Sequence, residues 1–236
     1  MKSPYGLSGE CHACNRRSSD FFCALSATSL KAFDEIKHPA VFPEDAVIFV
    51  EGQIARGIFL LCEGQAKLST TSREGKTLIL RIANAGEMLG LHAIITGNPY
   101  ELTVETMRPS RLTFVERNDF LRFVKQHNDA CLQTARQISR DCQHAYDVVR
   151  SLGLAHSASG KIAKFLLESA ADGLVTNGIV RTTLALTHEE IAQRTGTSRE
   201  TITRILSDFR KRNIVELKGS RLTIRNKMAL ERMGAA

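Results

Sequence analysis

At 236 residues and 26.1 kDa, the chain is long enough for two modest domains, each with its own hydrophobic core. Its composition, 43% hydrophobic and 24% charged, excludes an intrinsically disordered protein, and no apolar run approaches the roughly 18 residues of a membrane span. The first ten residues, MKSPYGLSGE, carry no apolar signal-peptide core, so we expect a cytoplasmic protein that has no membrane partner.

The net charge of +7 is concentrated towards the carboxyl end of the chain. Residues 157–236 hold 14 Lys and Arg against 8 Asp and Glu, whereas residues 1–156 hold 18 against 17. A basic segment attracts polyanions, and attraction to phosphates supplies most non-specific affinity for nucleic acids. The charge alone leaves two interpretations open, a nucleic-acid-binding region or a basic solubilising tail.

Three of the six cysteines, Cys11, Cys14 and Cys23, lie in a leader predicted over residues 1–24. Stable disulfides are rare in a reducing cytoplasm, where clustered cysteines more often bind a metal or carry out redox chemistry. The cluster therefore favours a metal site or a thiol sensor over a disulfide.

Residues 25–127 are predicted to form a jelly-roll β-barrel. The segment SATSLKAFDEI predicts a short helix at its start, because polar starters precede apolar residues at helical spacing. Short runs rich in β-branched residues and Leu follow, among them AVIFVEGQ, GIFLLCEGQAKLST and KTLILRIA. Glycines and the turn SREGK separate these runs, and such a pattern is typical of a sandwich or jelly roll. A second short helix is expected over residues 117–127.

A long dimerisation helix is predicted over residues 128–153. Its apolar positions are separated alternately by 4 and 3 residues: Cys131, Ala135, Ile138, Cys142, Ala145, Val149 and Leu152. A narrow heptad stripe of this kind favours a parallel homodimer, and the small side chains of Ala135 and Ala145 allow close helix approach. The alternative is a single amphipathic helix that lies on the barrel.

Residues 154–236 are predicted to form a winged helix-turn-helix. After a hinge in LGLAHSASG, a helix and a short strand pair precede Thr187, which forms a capping box with Glu190 at the start of a first helix. Gly196 supplies the turn, and Ser198 caps a second helix that extends to residue 211. The buried face of the second helix is expected at Ile202, Ile205, Leu206 and Phe209. A two-stranded wing closes the unit around Lys218 and Ser220.

If the second helix lies in the major groove of double-stranded DNA, its first turns face the base edges. The exposed side chains there are predicted to be Arg199, Glu200, Thr203 and Arg204. Arg can bind guanine O6 and N7 through two hydrogen bonds, and Glu can accept one from cytosine N4. Contacts to phosphates, which position the protein without reading sequence, are predicted for Thr187, Ser198, Lys211, Arg212, Lys218 and Ser220.

The motifs GTSRETITRIL and GEMLGLHAI resemble those of the CRP/FNR superfamily of bacterial transcription regulators, over about residues 25–230. The resemblance implies an α+β chain with a jelly-roll barrel like a cyclic-nucleotide-binding domain, a long dimerisation helix and a winged helix-turn-helix. It also implies a regulator, and no enzyme, that binds a two-fold symmetric DNA site as a homodimer and contacts RNA polymerase.

The cyclic-nucleotide branch of the superfamily cradles a phosphate with a Glu and an Arg-Ser pair. The matching positions in this chain hold Leu91 and Glu101-Leu102, so the resemblance predicts that cyclic AMP is not the effector.

The FNR-like, oxygen-sensing branch holds a [4Fe-4S] cluster with leader cysteines and one distal cysteine. The leader group here is similar, but the distal position falls near Thr113, which cannot ligate in the same way. Cys62 is therefore the candidate fourth ligand beside Cys11, Cys14 and Cys23, and His12 is a weaker candidate. Zinc, a thiol redox switch and unligated thiols remain open.

Histidines bear on two further functions, a haem-binding regulator and a metalloenzyme. A regulator of the same superfamily could bind haem or another small ligand, with His38 or His92 as the haem ligand. A cupin-type metalloenzyme would need a two-histidine-plus-carboxylate set in the strands, but His92 is the only histidine between Val41 and Glu116. The sequence also lacks a P-loop and a dinucleotide-binding fingerprint.

Overall fold

The computed structural model describes Cys11, Cys14, residues 22–154 and residues 157–235. Two compact units divide the chain. The first holds the residues up to Glu74 together with Leu80–His144, and the second holds Gly75–Ile79 and the residues from Ala145 onward. No helix within the described ranges has the length and apolar character needed to span a bilayer.

The first unit contains a β-sandwich of two four-stranded sheets, which confirms the predicted barrel fold. Its strands are β1 (Lys37–Phe42), β2 (Val47–Phe49), β3 (Gly57–Glu63), β4 (Gln65–Thr71), β5 (Thr77–Asn84), β6 (Met88–Leu89), β7 (Thr103–Thr106) and β8 (Ser110–Glu116). One sheet has the order β1-β8-β3-β6 and the other has the order β2-β7-β4-β5. The strand order is non-sequential, as a jelly roll requires.

The sandwich core forms because apolar side chains alternate along the strands. In β4, Ala66 and Leu68 are buried while Gln65 and Lys67 remain partly exposed, the period of two that a half-buried strand requires. A close approach fixes the turn after β6: Gly90 has φ +87°, and a Cβ there would lie 2.7 Å from the Tyr100 ring. Only glycine adopts this conformation readily, so both the backbone angle and the space at this turn favour Gly90.

Four helices accompany the sandwich: α1 (Ala27–Ile36), α2 (Leu91–Thr96), α3 (Arg117–Gln126) and α4 (Asn128–Leu154). Ser26 caps α1 by accepting the backbone N–H of Ser29. Phe33 of α1 and Phe120 and Phe123 of α3 are buried in the sandwich core. The helices predicted after the leader, over 117–127 and over 128–153, are therefore all present.

Helix α4 is joined to the sandwich by polar links near its middle. Arg81 of β5 is 8% exposed and pairs with Glu87 and, at 2.9 Å, with Asp141 of α4. Burial raises the pKa of Asp141, and the charge of Arg81 opposes that rise. A buried pair of this kind penalises any shift of α4 along the sheet, since each charge would lose its partner.

The second unit holds the remaining elements: α5 (Ala158–Ser169), β9 (Leu174–Thr176), β10 (Ile179–Thr183), α6 (His188–Thr195), α7 (Arg199–Lys211), β11 (Val215–Lys218), β12 (Arg221–Ile224) and α8 (Lys227–Ala235). Its sheet has the order β11-β12-β10-β9, so the wing and the strand pair before α6 form one sheet. The predicted hinge falls partly on residues 155 and 156, which lie outside the described residues.

Helix α8 is the one element of this unit that the sequence analysis did not predict. It packs on α5, where a Cβ at Gly160 would lie 2.8 Å from the carbonyl oxygen of Met233. Leu230 of α8 is fully buried in the core of the unit. The missed signal is Asn226, whose side chain caps the helix by accepting the N–H of Ala229 at 3.0 Å.

Candidate functional site

Helices α6 and α7 form the predicted helix-turn-helix. Thr187 and Glu190 make the complete capping box at the start of α6, and Gly196 ends that helix in the left-handed conformation with φ 64°. Ser198 then caps α7 by accepting the N–H of Thr201. Thr187 and Gly196 thus set where α6 begins and ends, and Ser198 sets where α7 begins.

The buried face of α7 is the predicted one: Ile202, Ile205, Leu206 and Phe209. Since these side chains fill the core of the second unit, the opposite face of α7 faces solvent.

The exposed face of α7 lines a groove of about 740 Å³, called here the α7 groove. Its lining residues are Arg199, Glu200, Thr203, Arg204, Ser207, Asp208 and Lys211. The structure therefore brings all four predicted base-reading residues together with Lys211, a predicted phosphate contact. Ser207 and Asp208 were not predicted, although they lie one helical turn beyond Thr203 and Arg204 on the same face.

Glu200 is held ionised at the start of α7. Hydrogen bonds from its own backbone N–H and from the Ser198 hydroxyl lower the pKa of its carboxyl group. A carboxylate at this position also interacts favourably with the helix dipole. Glu200 is thereby kept as a hydrogen-bond acceptor, the state needed to contact cytosine N4.

The predicted phosphate contacts Thr187 and Ser220 line a second pocket, of about 410 Å³, between α6 and the wing. His188, Leu217 and Gly219 also line it. The Thr187 hydroxyl already donates its one proton to Glu190 at 2.9 Å, so a hydrogen bond to a phosphate oxygen, which can only accept, would have to displace that bond.

The other predicted phosphate cations carry acidic partners. Lys218 lies 2.7 Å from Glu216, which also pairs with Arg225 at 2.8 Å, and Arg212 lies 3.4 Å from Asp208. The hydrogen bonds from Lys218 and Arg225 lower the pKa of Glu216 to about 2. At the wing, Lys218 is therefore part of a cluster of charged side chains with Glu216 and Arg225.

One polar contact between α6 and α7 was missed by the sequence analysis. Nδ1 of His188 lies 3.0 Å from the hydroxyl oxygen of Thr203. The two residues are 15 positions apart, so no local pattern joins them, and only the crossing of the two helices brings them together.

The predicted dimer stripe lies mainly on the exposed side of α4. Cys131, Ala135, Cys142 and Ala145 are exposed, and Val149 is 68% exposed. Ile138 differs because it packs against the sandwich core, next to the buried face formed by Ala130, Thr134 and Gln137. The side chain of Leu152 lies outside the described residues.

The described cysteines of the leader lie at one edge of the sandwich. Cys11 and Cys23 pack against the same hydrophobic core as Cys62 of β3. The backbone N–H of Cys11 donates to Asp34 at 2.7 Å, and Lys37 donates from Nζ to the Cys11 sulfur at 3.2 Å. Burial raises the pKa of Cys11 to about 12, although Lys37 acts in the opposite direction.

Cys62 lies beside the position of the absent distal ligand. Its Sγ is 3.4 Å from the hydroxyl oxygen of Thr113 on the neighbouring strand β8. Burial raises the pKa of Cys62, while Thr113, Arg111 and Lys37 oppose the rise and a charge on Cys14 would add to it. As they stand, no three His, Cys, Asp or Glu side chains of the described residues are placed to hold a metal ion. His12 lies outside the described residues.

The positions predicted to exclude a cyclic nucleotide differ in burial. Leu91 is 2% exposed and belongs to the sandwich core, whereas Glu101 is exposed. His38 and His92, the haem candidates, are both exposed.

Comparison with known proteins identifies both units. A family model of the Crp-like helix-turn-helix domain matches residues 160–233, and one of the cyclic nucleotide-binding domain matches residues 39–127. The CRP-like cAMP-activated global transcriptional regulator of Mycobacterium tuberculosis is 26% identical, over 89% of this chain and 94% of that protein. The nitrogen fixation regulation protein FixK of Azorhizobium caulinodans is 27% identical, over 83% of this chain and 78% of that protein.

A solved structure supports the same fold. FixK2 from Bradyrhizobium japonicum matches with a TM-score of 0.71 at 21% identity, over 85% of this chain and 98% of that one.

Proposed function

Because the chain belongs to the CRP/FNR family of DNA-binding transcription regulators, we propose that it binds a two-fold symmetric site as a homodimer and responds to oxygen or redox state. The signal would enter at Cys11, Cys14, Cys23 and Cys62. RNA polymerase is the expected partner of the DNA-bound dimer, and the cytoplasm its location.

The α7 groove supports reading of DNA sequence. Arg199, Glu200 and Arg204 lie on one exposed face, and the carboxyl group of Glu200 is held ionised. Two donors that flank an acceptor suit G·C-containing steps, and each good bidentate pair supplies about 1–3 kcal/mol of discrimination.

The exposed stripe of α4 supports a homodimer. Ala135, Cys142, Ala145 and Val149 form an apolar surface that the sandwich leaves uncovered. A second copy of the same stripe would cover it with heptad spacing, as in a parallel coiled coil.

The contact between Cys62 and Thr113 is the observation that carries the proposed switch. The resemblance places the distal cluster ligand near Thr113, and the structure shows a cysteine 3.4 Å from that side chain on the adjacent strand. Cys62 of β3 would thus take the place of the ligand that the resemblance puts near Thr113 of β8. The change of position is small, since the two strands are neighbours in one sheet.

The donor chemistry fits the cluster, because four thiols suit an iron–sulfur centre as well as tetrahedral zinc. Cys11, Cys14, Cys23 and Cys62 would hold the [4Fe-4S] group, which would supply an oxygen-sensitive redox centre. The chain's own part is to release the thiol protons on ligation and to stabilise the resulting charge. Lys37 is placed for that task, since its Nζ already donates to the sulfur of Cys11. Zinc or a metal-free thiol switch is the alternative that uses the same residues.

Cyclic AMP is not the effector in this proposal, although the mycobacterial relative is named as cAMP-activated. A nucleotide phosphate needs a cation, whereas Leu91 offers an apolar side chain and Glu101 a negative charge. Calorimetric titration with cyclic AMP should show no binding, and a saturable heat would overturn this part of the proposal.

The experiment for the switch is purification of the full chain without oxygen, followed by analysis of iron, sulfide and zinc. We expect a brown protein with about four irons per chain. Cys62→Ser should lose the iron, whereas Cys142→Ser, which removes an exposed cysteine of α4, should keep it. A colourless protein with one zinc per chain, or a Cys62→Ser variant that retains all its iron, would contradict the cluster.

A further inference from the structure

We propose that Thr203 reads the C5-methyl group of a thymine, and that His188 is a positioning residue that holds Thr203 for this contact. The inference rests on the proposed function, because it assumes that α7 lies in the major groove of DNA. The inference adds to the proposed site one nucleobase that is read, thymine, and one residue that orients a reading side chain, His188.

The hydrogen bonds of Thr203 fix the role of its hydroxyl group. Its Oγ1 donates to the carbonyl oxygen of Arg199, one helical turn earlier, at 3.0 Å. A hydroxyl group has a single proton to donate. Both bonds can form at once only when His188 is the donor in the second, of 3.0 Å between Nδ1 and Oγ1. The arrangement assigns the Nδ1–H tautomer to His188.

The hydroxyl of Thr203 consequently has no proton left for a base. It cannot donate to thymine O4 or to a purine N7, the acceptors that a free threonine hydroxyl would reach in the major groove. Thr203 is nevertheless exposed and lines the α7 groove beside Glu200 and Arg204. Its Oγ1 keeps one lone pair, which can only accept from a base amino group, and its Cγ2 methyl can make an apolar contact with the thymine methyl, an established way to read that base.

His188 is well placed to hold this orientation. It is the first residue of α6, directly after the capping box of Thr187, and it is half-buried beside Leu217 and Gly219 of the wing. The side chain of Thr splits between two rotamers in a helix because Oγ1 can bond to the preceding turn. The donor from His188 favours one of the two, and that choice sets where the methyl group lies.

The experiment begins with selection of a binding site from random-sequence duplexes by the full-length wild-type protein. Each thymine of the selected site is then replaced by deoxyuridine, which pairs identically but lacks the methyl group. We expect one symmetric pair of positions to lose affinity about fourfold per half-site, the value of one buried methyl-sized group of about 0.8 kcal/mol.

Variants assign that loss to the two residues. Thr203→Ser keeps the hydroxyl and should bind thymine and deoxyuridine sites equally, whereas Thr203→Val keeps a methyl and should still discriminate. His188→Ala should reduce the discrimination, and His188→Asn, which offers an N–H donor near the position of Nδ1, should restore it. Thermal melting of each variant verifies that it is folded.

The outcomes separate this inference from the proposed function. Failure of the wild-type protein to bind any duplex at low salt would overturn both. Binding with no position sensitive to deoxyuridine, or undiminished discrimination by Thr203→Ser, would overturn the reading of thymine alone and leave the regulator intact. Undiminished discrimination by His188→Ala would remove the positioning role.

Discussion

The side-chain amide of Gln137 pairs with both backbone polar groups of Met88. Its Oε1 accepts the Met88 N–H at 2.9 Å, and its Nε2 donates to the Met88 carbonyl oxygen. Gln137 is 6% exposed and Met88 is 1% exposed, so water is excluded from these bonds. Strand β6 is only two residues long, and an amide of α4 thus continues its hydrogen bonding as another strand would.

Replacement of Gln137 by Leu should destabilise the first unit by about 2–6 kcal/mol. The reason is that two buried backbone groups would lose their partners, at about 1–3 kcal/mol each. Urea unfolding of the full chain measures the effect. Gln126→Leu, at an exposed position of α3, is the control and should change the free energy of unfolding by less than about 0.5 kcal/mol. Equal effects of the two changes would contradict a docking role for Gln137.

Asp129 should stabilise the protein fully above about pH 4 and progressively less below it. Burial raises the pKa of its carboxyl group, but hydrogen bonds from the Ser26 N–H, the Ser29 hydroxyl and the Ala130 N–H outweigh that and hold it at about 2. Since the folded pKa is lower than the unfolded value of about 3.9, the stabilisation is complete above that value and disappears as the pH falls towards 2.

Asp129→Asn tests this pH dependence. We expect a loss of about 1 kcal/mol at pH 7, which discounts the full pKa shift because the carboxylate is partly exposed, and a loss several times smaller at about pH 2. Thermal unfolding at both pH values is the measurement, with Asp119→Asn, which removes a surface ion pair with Arg122, as the control. A loss that persists unchanged at low pH would indicate a structural effect of the substitution and not the charge.

Arg204 and Lys218 should differ in their effect on DNA binding. Arg204→Ala should relax base preference by about 1–3 kcal/mol per half-site, and Arg204→Lys should not restore it, because a lysine lacks the two-pronged donor. Lys218→Ala should weaken binding to all sequences alike and reduce the salt dependence by about one ion per contact. Competition binding on selected and scrambled duplexes separates the effects of Arg204→Ala and Lys218→Ala. Equal losses of base preference in the two variants would contradict the placement of α7 in the major groove.

The pairing of Lys218 with Glu216 adds a control to that comparison. Glu216→Gln removes the partner of Lys218 and Arg225 and should therefore tighten binding to every duplex without a change of base preference.

Ala145→Glu should convert the homodimer into monomers. Ala145 is exposed on α4, so the single chain tolerates a larger side chain there, whereas two copies would bring like charges together across the stripe. Analytical ultracentrifugation measures the change, and Gln126→Glu at an exposed position of α3 is the control with the same change of charge. If both variants remain dimeric, the dimer stripe lies elsewhere on the chain.

The sequence predicted those elements whose signals are local. The capping box of Thr187 and Glu190, the turn at Gly196 and the buried face of α7 each depend on residues within one or two helical turns. The heptad stripe was also predicted from local spacing, but the spacing did not show which of its residues face the sandwich. Ile138 packs on the sandwich, because a helix with two partners divides its apolar residues between them.

What the sequence could not predict depends on contacts between distant segments. Cys62 meets Thr113 because β3 and β8 pair with Leu60 opposite Thr113, a register that no pattern within either strand specifies. The bond from His188 to Thr203 likewise depends on how α6 crosses α7. The candidate base-reading residues were predicted by type and position, whereas the contacts that orient their side chains depend on the fold.

The exposed stripe of α4 also has a genetic consequence. In the proposed homodimer both copies present the same surface, so a chain that has lost Arg204 would still associate with an intact one. Such a mixed dimer would contain one helix-turn-helix that recognises its half-site and one that does not. A defective allele should therefore interfere with a normal allele in the same cell, and the phenotype of base-reading mutations should be dominant.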